Sequence, residues 1–124
     1  MTADVDKLVA CLDAAGADVH TSDERPADDD VNFKAMTSAE GFLESADAWR
    51  AEGTGFYLKV YDSSEHAEAA IDAQQRSDVK EGYPGINASL DAKANVATHP
   101  SQGDADPRHE AQLDRCIIAA SRGS

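Results

Sequence analysis

The chain has 124 residues, which is enough for one domain built around a single modest core. Its 24 acidic residues outnumber its 11 lysines and arginines and give a formal net charge of −13, with the acids spread from Asp4 to Asp114. A negative field of this strength disfavours direct binding to nucleic acid and attachment to anionic lipid through basic residues. Cationic partners are compatible with it, and so is adaptation to high salt.

The sequence contains no long apolar segment. No run reaches the roughly 18 residues that a membrane-spanning helix needs. The residues after Met1, TADVDKLVA, lack the basic region and the continuous apolar region of a signal peptide. We therefore expect no membrane insertion by these residues, whereas a signal or anchor upstream of them would leave no trace here.

Residues 2 to 15 are predicted to form the first helix. Apolar side chains recur there at helical spacing, at Val5, Leu8, Val9 and Leu12. Thr2 or Asp4 can cap the start of this helix, and Gly16 stands where it is expected to end.

Two strands separated by a loop are predicted in residues 17 to 36. ADVHT, residues 17 to 21, has the length of a short edge strand. SDERPADDD, residues 22 to 30, is polar and is predicted to be a loop. VNFKAM, residues 31 to 36, alternates apolar and polar side chains, which is typical of a half-buried strand.

The middle of the chain is predicted to contain a helix, the central strand and another helix. The segment SAEGFLESADAWRA, residues 38 to 51, has a helical stripe made of Phe42, Leu43, Ala46 and Trp49. GFYLKVY, residues 55 to 61, has the strongest strand pattern because its aromatic and branched residues alternate. The DSSE run that begins at Asp62 matches a capping box and predicts a helix that continues through Arg76.

The last third is predicted to contain an irregular connection, a strand and a helix. Residues 78 to 91 show little periodicity, and KANVATH, residues 93 to 99, is a weaker strand. Asp106 followed by Pro107 is a strong helix start signal. The apolar stripe of this last helix comprises Leu113, Cys116, Ile117 and Ala120.

Together these elements predict one α+β domain over residues 1–124, with a small, mainly antiparallel sheet and helices packed on one face. The expected order is helix, strand, strand, helix, strand, helix, strand, helix. The central strand, the helix after it and the returning strand form a split β-α-β unit. A ferredoxin-like sandwich is therefore the nearest named architecture.

The two cysteines, Cys11 and Cys116, border or occupy the apolar stripes of the first and last helices. If those helices lie side by side, we expect a disulfide between them. The alternative is that both residues serve as small buried side chains and never meet. The two cysteines do not form a metal motif, because they are not spaced as C-x-x-C.

Several short motifs resemble a pattern found in small, uncharacterised extracytoplasmic domains of actinobacterial membrane-anchored proteins and lipoproteins. The matching residues are Val9, Cys11, Leu12, Ala15, Gly16, Ala17, Val19, Tyr61, Asp62, Ser63, Glu65, Asn95, Val96, Cys116 and Ile117. The opening departs from the pattern, since Val9 lies two residues before the first cysteine instead of three. The resemblance implies an extracytoplasmic location and this kind of fold, with no assigned activity.

A possible interaction surface is predicted on the second face of the central strand. Tyr57, Lys59 and Tyr61 share that face, and Lys59 indicates that it reaches water. Tyr83 lies in the irregular connection and is included in the predicted surface.

Metal and catalytic sites are not expected, although three groups of residues have the relevant side chains. The Asp28, Asp29 and Asp30 run lacks the spacing of a calcium loop. His99 and His109 flank a turn that contains Asp104 and Asp106, but the spacing matches no standard zinc site. The run from Ser63 to His66 is explained by a helix cap. We therefore predict no catalytic residue, no metal ligand and no cofactor.

The sequence favours a noncatalytic extracytoplasmic domain that binds a protein or a component of the cell envelope. One alternative is an acidic mimic of DNA that inhibits a nucleic-acid-binding protein. Another is a small metal-dependent enzyme or metal-binding protein. If the two thiols do not pair, a cytoplasmic protein of a salt-adapted organism becomes the better interpretation.

Overall fold

A computed structural model describes residues 2–22, 41–49, 55–80, 91–100 and 106–121. The predicted strand at residues 31–36, the Asp28–Asp30 run and Tyr83 lie outside these ranges. The described helices are α1 (Val5–Ala14), α2 (Ser64–Lys80) and α3 (Pro107–Ser121). The described strands are β1 (His20–Ser22), β2 (Phe42–Ala48), β3 (Phe56–Tyr61), β4 (Asp91–Lys93) and β5 (Val96–Pro100).

The five strands form one antiparallel sheet in the order β1-β2-β3-β5-β4. β3 is central, as its sequence predicts, and Leu58 lies opposite Ala46 on β2 and Thr98 on β5. β1 lies at the edge, also as predicted. The α+β class with an antiparallel sheet is confirmed, whereas the relation to the ferredoxin-like sandwich stays a prediction.

Helices lie on both faces of the sheet, so the predicted placement on one face is wrong. α1 and α3 cover one face, where Leu8, Leu12 and Leu113 pack with Leu58 and Val60 of β3. On the other face, a second cluster joins α2 to the sheet through Phe42, Tyr61, Ala67, Ala70 and Ala97. The reason is that the end of β3 is apolar on both faces, and both must be buried.

The segment predicted as a helix over residues 38–51 contains the strand β2. Phe42, Ala46 and Trp49 fit helical spacing, but β2 has strand partners on both sides, β1 and β3. The pairing with β3 is irregular between Phe42 and Glu44, so strict alternation is broken where the strand begins. Main-chain pairing with distant segments therefore outweighs the local helical pattern.

Two further boundaries differ from the prediction. The segment predicted to be irregular, residues 78–91, overlaps two elements, because α2 continues to Lys80 and β4 begins at Asp91. The predicted strand 93–99 is split by a two-residue turn at Ala94 and Asn95. Ala94 has a φ of 52°, a conformation that hairpin turns require and that alanine seldom adopts.

The helix ends mostly agree with their sequence signals. Asp4 caps α1 by accepting a hydrogen bond from the Lys7 main-chain N–H at 3.0 Å, and Gly16 follows the helix with a φ of 92°. The cap of α2 is Ser63 instead of Asp62, since the Ser63 Oγ accepts from the His66 main-chain N–H at 3.2 Å. α3 starts at Pro107 after Asp106, as predicted.

A disulfide bond joins Cys11 of α1 to Cys116 of α3, as the sequence predicts. Their Cα atoms are 5.5 Å apart, within the range that a disulfide requires. Cys116 is buried and Cys11 is half-buried against the same core. The Asp4 main-chain N–H also donates to the Ala120 carbonyl at 3.1 Å, so α1 is held against α3 by a covalent bond and by a hydrogen bond.

Asn95 is a fully buried polar residue that connects the segment before α1 to the sheet. Its Oδ1 accepts from the Ala3 main-chain N–H at 2.7 Å. Its Nδ2 donates to the carbonyls of Ala3 at 3.1 Å and Tyr61 at 2.7 Å. One side chain therefore satisfies three main-chain groups at the junction of α1, β3 and the β4–β5 turn.

Reduction of the disulfide is expected to lower the thermal midpoint while the fold is retained. The bond spans 105 residues, and closing a loop of this length stabilises by up to about 5 kcal/mol in the chain-entropy model. Circular dichroism melts with and without dithiothreitol measure the effect, and the Cys11→Ala/Cys116→Ala variant serves as a control that reductant should not change. Two titratable thiols in the native, unreduced protein would contradict this assignment.

Replacing Asn95 with alanine is expected to lower the free energy of unfolding by about 2 to 4 kcal/mol. The change leaves buried main-chain groups of Ala3 and Tyr61 without these partners. Urea denaturation measures the loss. Ser121→Ala is a control, because it removes a buried hydroxyl that donates to the Ile117 carbonyl but leaves the Ala3 and Tyr61 main-chain groups paired, so it should cost less than Asn95→Ala. Equal losses in the two variants would disprove the connecting role of Asn95.

Candidate functional site

The structure buries one residue of the predicted interaction surface and leaves two others half-buried on the same sheet face. Tyr61 is 0% exposed and packs edge-on against Phe42, with ring centroids 6.0 Å apart. This burial beneath α2 excludes Tyr61 from an exposed surface. Tyr57 and Lys59 are half-buried on the same sheet face, and the Tyr57 ring stacks on His99 with centroids 6.2 Å apart.

The two histidines considered as zinc ligands stack on different aromatic rings. His99 stacks on Tyr57, and His109 lies parallel to Trp49 with ring centroids 4.6 Å apart. Asp104, the intervening acid, lies outside the described residues. Within the ranges that the structure describes, no group of three or more His, Cys, Asp or Glu side chains is placed to hold a metal ion.

The Ser63–His66 run is part of the start of α2. The Ser63 hydroxyl accepts the cap hydrogen bond, and His66 Nδ1 donates to Asp62 Oδ1 at 2.5 Å. This hydrogen bond lowers the pKa of the Asp62 carboxyl below its ordinary value. Gly41 lies directly over this pair, because a Cβ there would collide with Asp62 Oδ1 and with the His66 ring. These contacts explain the run as local structure that joins β2 to α2.

A groove lies between α1 and the β1–β2 edge of the sheet, and we call it the acidic groove. It has a volume of about 280 Å³ and is lined by Asp6, Val9, Ala10, Asp13, Val19, Thr21 and Glu44. Four of these residues belong to α1, at positions i, i+3, i+4 and i+7, so they share one helical face. The buried face of α1, with Leu8 and Leu12, points to the core beside it.

The acidic groove combines apolar walls with carboxylates that have no ionic partner among the described residues. Val9 and Val19 are half-buried, and Ala10 is exposed. The carboxylates of Asp6, Asp13 and Glu44 form no hydrogen bond or ion pair with any residue that the structure describes. No lysine or arginine of the described residues pairs with them, so a cationic group of a ligand would meet carboxylates that are not already neutralised.

A second open pocket, of about 290 Å³, lies where α1 ends and α3 begins. Trp49, which has a φ of 61°, and His109 form one wall, and Arg108 forms another. The Arg108 guanidinium is already paired, since its Nη2 donates to Asp106 Oδ2 at 2.9 Å. This interaction holds the pKa of Asp106 well below its ordinary value of 3.8, at about 2. The positive charge at this pocket is thus largely neutralised.

Comparison with protein-family models, with curated proteins and with solved structures finds no match to this chain. Among the described helices, none combines the length and the apolar character needed to cross a membrane. Evidence about function therefore comes from the geometry of the chain itself.

Sequence reasoning missed the acidic groove. In the sequence, Asp6 and Asp13 have the pattern of ordinary exposed positions on an amphipathic helix. Glu44 lies in a segment that the sequence predicts to be a helix. The available signal was the pair of acids seven residues apart with Val9 and Ala10 between them on the same helical face. The groove itself arises only when β1 and β2 pack beside α1.

The Asp106–Arg108 pair is expected to stabilise the fold at neutral pH and to lose this effect in acid. Because the folded-state pKa of about 2 lies below the ordinary 3.8, the contribution is present above about pH 4 and disappears as the pH falls toward 2. Asp106→Asn keeps a capping side chain but removes the charge, so it should be less stable than the wild type at pH 7 and equal to it near pH 2. Urea denaturation across this range measures the difference. Repeating the comparison with Arg108→Gln as background should reduce the difference without abolishing it, because the main-chain N–H of residue 108 still donates to Asp106 Oδ1. A difference independent of pH would contradict the assignment.

Proposed function

We propose that the protein is a noncatalytic extracytoplasmic binding domain, and that its acidic groove accepts a positively charged segment of a protein or cell-envelope partner. The observation that carries the proposal is the set of three carboxylates, from Asp6, Asp13 and Glu44, around the apolar walls of one groove. Charge and apolar surface in the same concave site are the features that protein segments recognise.

The chemistry of the lining supports binding over catalysis. The described lining residues provide carboxylates, aliphatic groups and the Thr21 hydroxyl. Among them no serine, cysteine or histidine stands beside a base, which is the arrangement that nucleophilic catalysis uses. The groove therefore offers attraction for a cation and contact for an apolar group.

The disulfide supports an oxidising compartment. Disulfides form and persist in exported proteins and are rare in the cytoplasm, where thiols are kept reduced. The bond between Cys11 and Cys116 joins helices near the two ends of the chain, as is common in small exported domains that need additional stability. The resemblance to extracytoplasmic domains of actinobacterial membrane-anchored proteins and lipoproteins points to the same location.

The alternative of a DNA mimic has less support. A mimic would place its carboxylates in rows on one face, to imitate the spacing of phosphates. Among the described residues, acids occur on α1 at Asp6 and Asp13 and on α2 at Glu65 and Glu68, on opposite sides of the sheet. This distribution favours a generally acidic surface with one groove of distinct composition.

The proposal predicts that the groove, and not net charge alone, determines binding to a basic peptide. The probe is a short peptide of lysine, leucine and glycine, measured by isothermal titration calorimetry at low and physiological salt. Asp13→Asn/Glu44→Gln should weaken binding by about tenfold, since each lost ion pair contributes up to about 1 kcal/mol. Binding should also weaken as salt is added.

The matched control is Glu65→Gln/Glu68→Gln, which removes the same charge from exposed positions on α2. It should change the dissociation constant by less than about twofold. A second control is the same peptide with glutamine in place of lysine, which should bind far more weakly. Equal effects of the two double variants would show that only the overall charge matters and would disprove the site.

A further inference from the structure

The face that α1 presents to the acidic groove has a regular pattern. Asp6 and Asp13 lie two helical turns apart, which is about 10 Å along the helix axis. Val9 and Ala10 lie between them on the same face. The groove thus presents acid, apolar surface and acid in a row parallel to α1.

The opposite wall adds a third charge and a further apolar contact. Val19 precedes β1, Thr21 lies within β1, and Glu44 belongs to β2. The volume of about 280 Å³ is at or below the lower limit of small-molecule pockets. The groove therefore has room for one side chain of a partner that lies across its opening. The partner's main chain would remain outside the groove.

Resting on the proposed function, we propose that the partner segment is an amphipathic helix with lysine or arginine at positions i and i+7 and an aliphatic residue at i+3 or i+4. A helix places these three side chains on one face with the same spacing as Asp6, Val9 and Asp13 on α1. The two cations then lie opposite the two acids, and the aliphatic side chain contacts Val9 and Val19.

An extended partner fits this spacing less well. Side chains on one face of a strand recur at intervals of about 7 Å, so two cations would lie about 7 or 13 Å apart. Neither interval matches the 10 Å that separates Asp6 from Asp13 along α1. The helix is thus the occupant with charge complementarity at both ends of the groove.

Two helical peptides test the inference directly. Both are alanine- and glutamine-based, about 15 residues long, and contain two lysines and one leucine. In the matched peptide the lysines are at i and i+7 with leucine at i+4. In the shifted peptide one lysine is moved to the opposite face. Titration calorimetry measures the two dissociation constants, and circular dichroism verifies that both peptides are helical to the same extent.

The wild type should bind the matched peptide about threefold to tenfold more tightly than the shifted one. Asp6→Asn and Asp13→Asn should each remove most of this preference, whereas Glu65→Gln/Glu68→Gln should retain it. Amide spectra of the variants, compared with that of the wild type, show whether α1 is intact. Chemical-shift changes on addition of the matched peptide should map to α1, β1 and β2.

The outcomes separate this inference from the proposed function. Equal affinity for the two peptides, with both weakened by Asp13→Asn/Glu44→Gln, would overturn the helical spacing and leave the binding function standing. Affinities that are the same in the wild type and in that double variant would overturn both. Spermidine that displaces the matched peptide at an equal or lower concentration would replace the helix with a small polyamine as the occupant.

Discussion

The attachment of α1 to α3 is the constraint on which the rest of the structure depends. The Cys11–Cys116 bond and the hydrogen bond from Asp4 to Ala120 hold the two helices side by side over one face of the sheet. The buried face of α1 then packs on β3, and Asn95 connects the preceding segment to the end of that strand. The opposite flank of α1 is left beside β1 and β2, where it forms the acidic groove. A shift of α1 would therefore change the core and the groove together.

Three kinds of local pattern were sufficient to predict much of the fold. Alternation over residues 55–61 identified the central strand, because only a strand places those apolar residues on one side. The cap at Asp4 and the Asp106–Pro107 pair identified the start of α1 and of α3, since both satisfy main-chain groups within a few residues. The apolar stripes around the two cysteines predicted their meeting, because both stripes had to face one core.

Features that depend on distant contacts were not predictable from the same patterns. Apolar residues in the segment of Phe42 and Ala46 fit helical spacing, and only pairing with β1 and β3 makes this segment a strand. The coverage of Tyr61 by α2 depends on the direction in which the chain returns over the sheet, which periodicity does not specify. The acidic groove combines Asp13 of α1 with Glu44 of β2, so no single stretch of sequence contains it.

The disulfide also determines how the domain would respond to tension. A pull exerted between the segment before Cys11 and the segment after Cys116 is transmitted through the sulfur–sulfur bond, because that bond is the shortest covalent route between them. The residues between the two cysteines, including the five described strands and α2, lie off this route and are not stretched. While the bond is intact, the sheet is mechanically shielded, whereas the groove residues that precede Cys11, such as Asp6 and Val9, remain under load. A domain of this kind can sit in series between two anchored structures without its sheet unravelling.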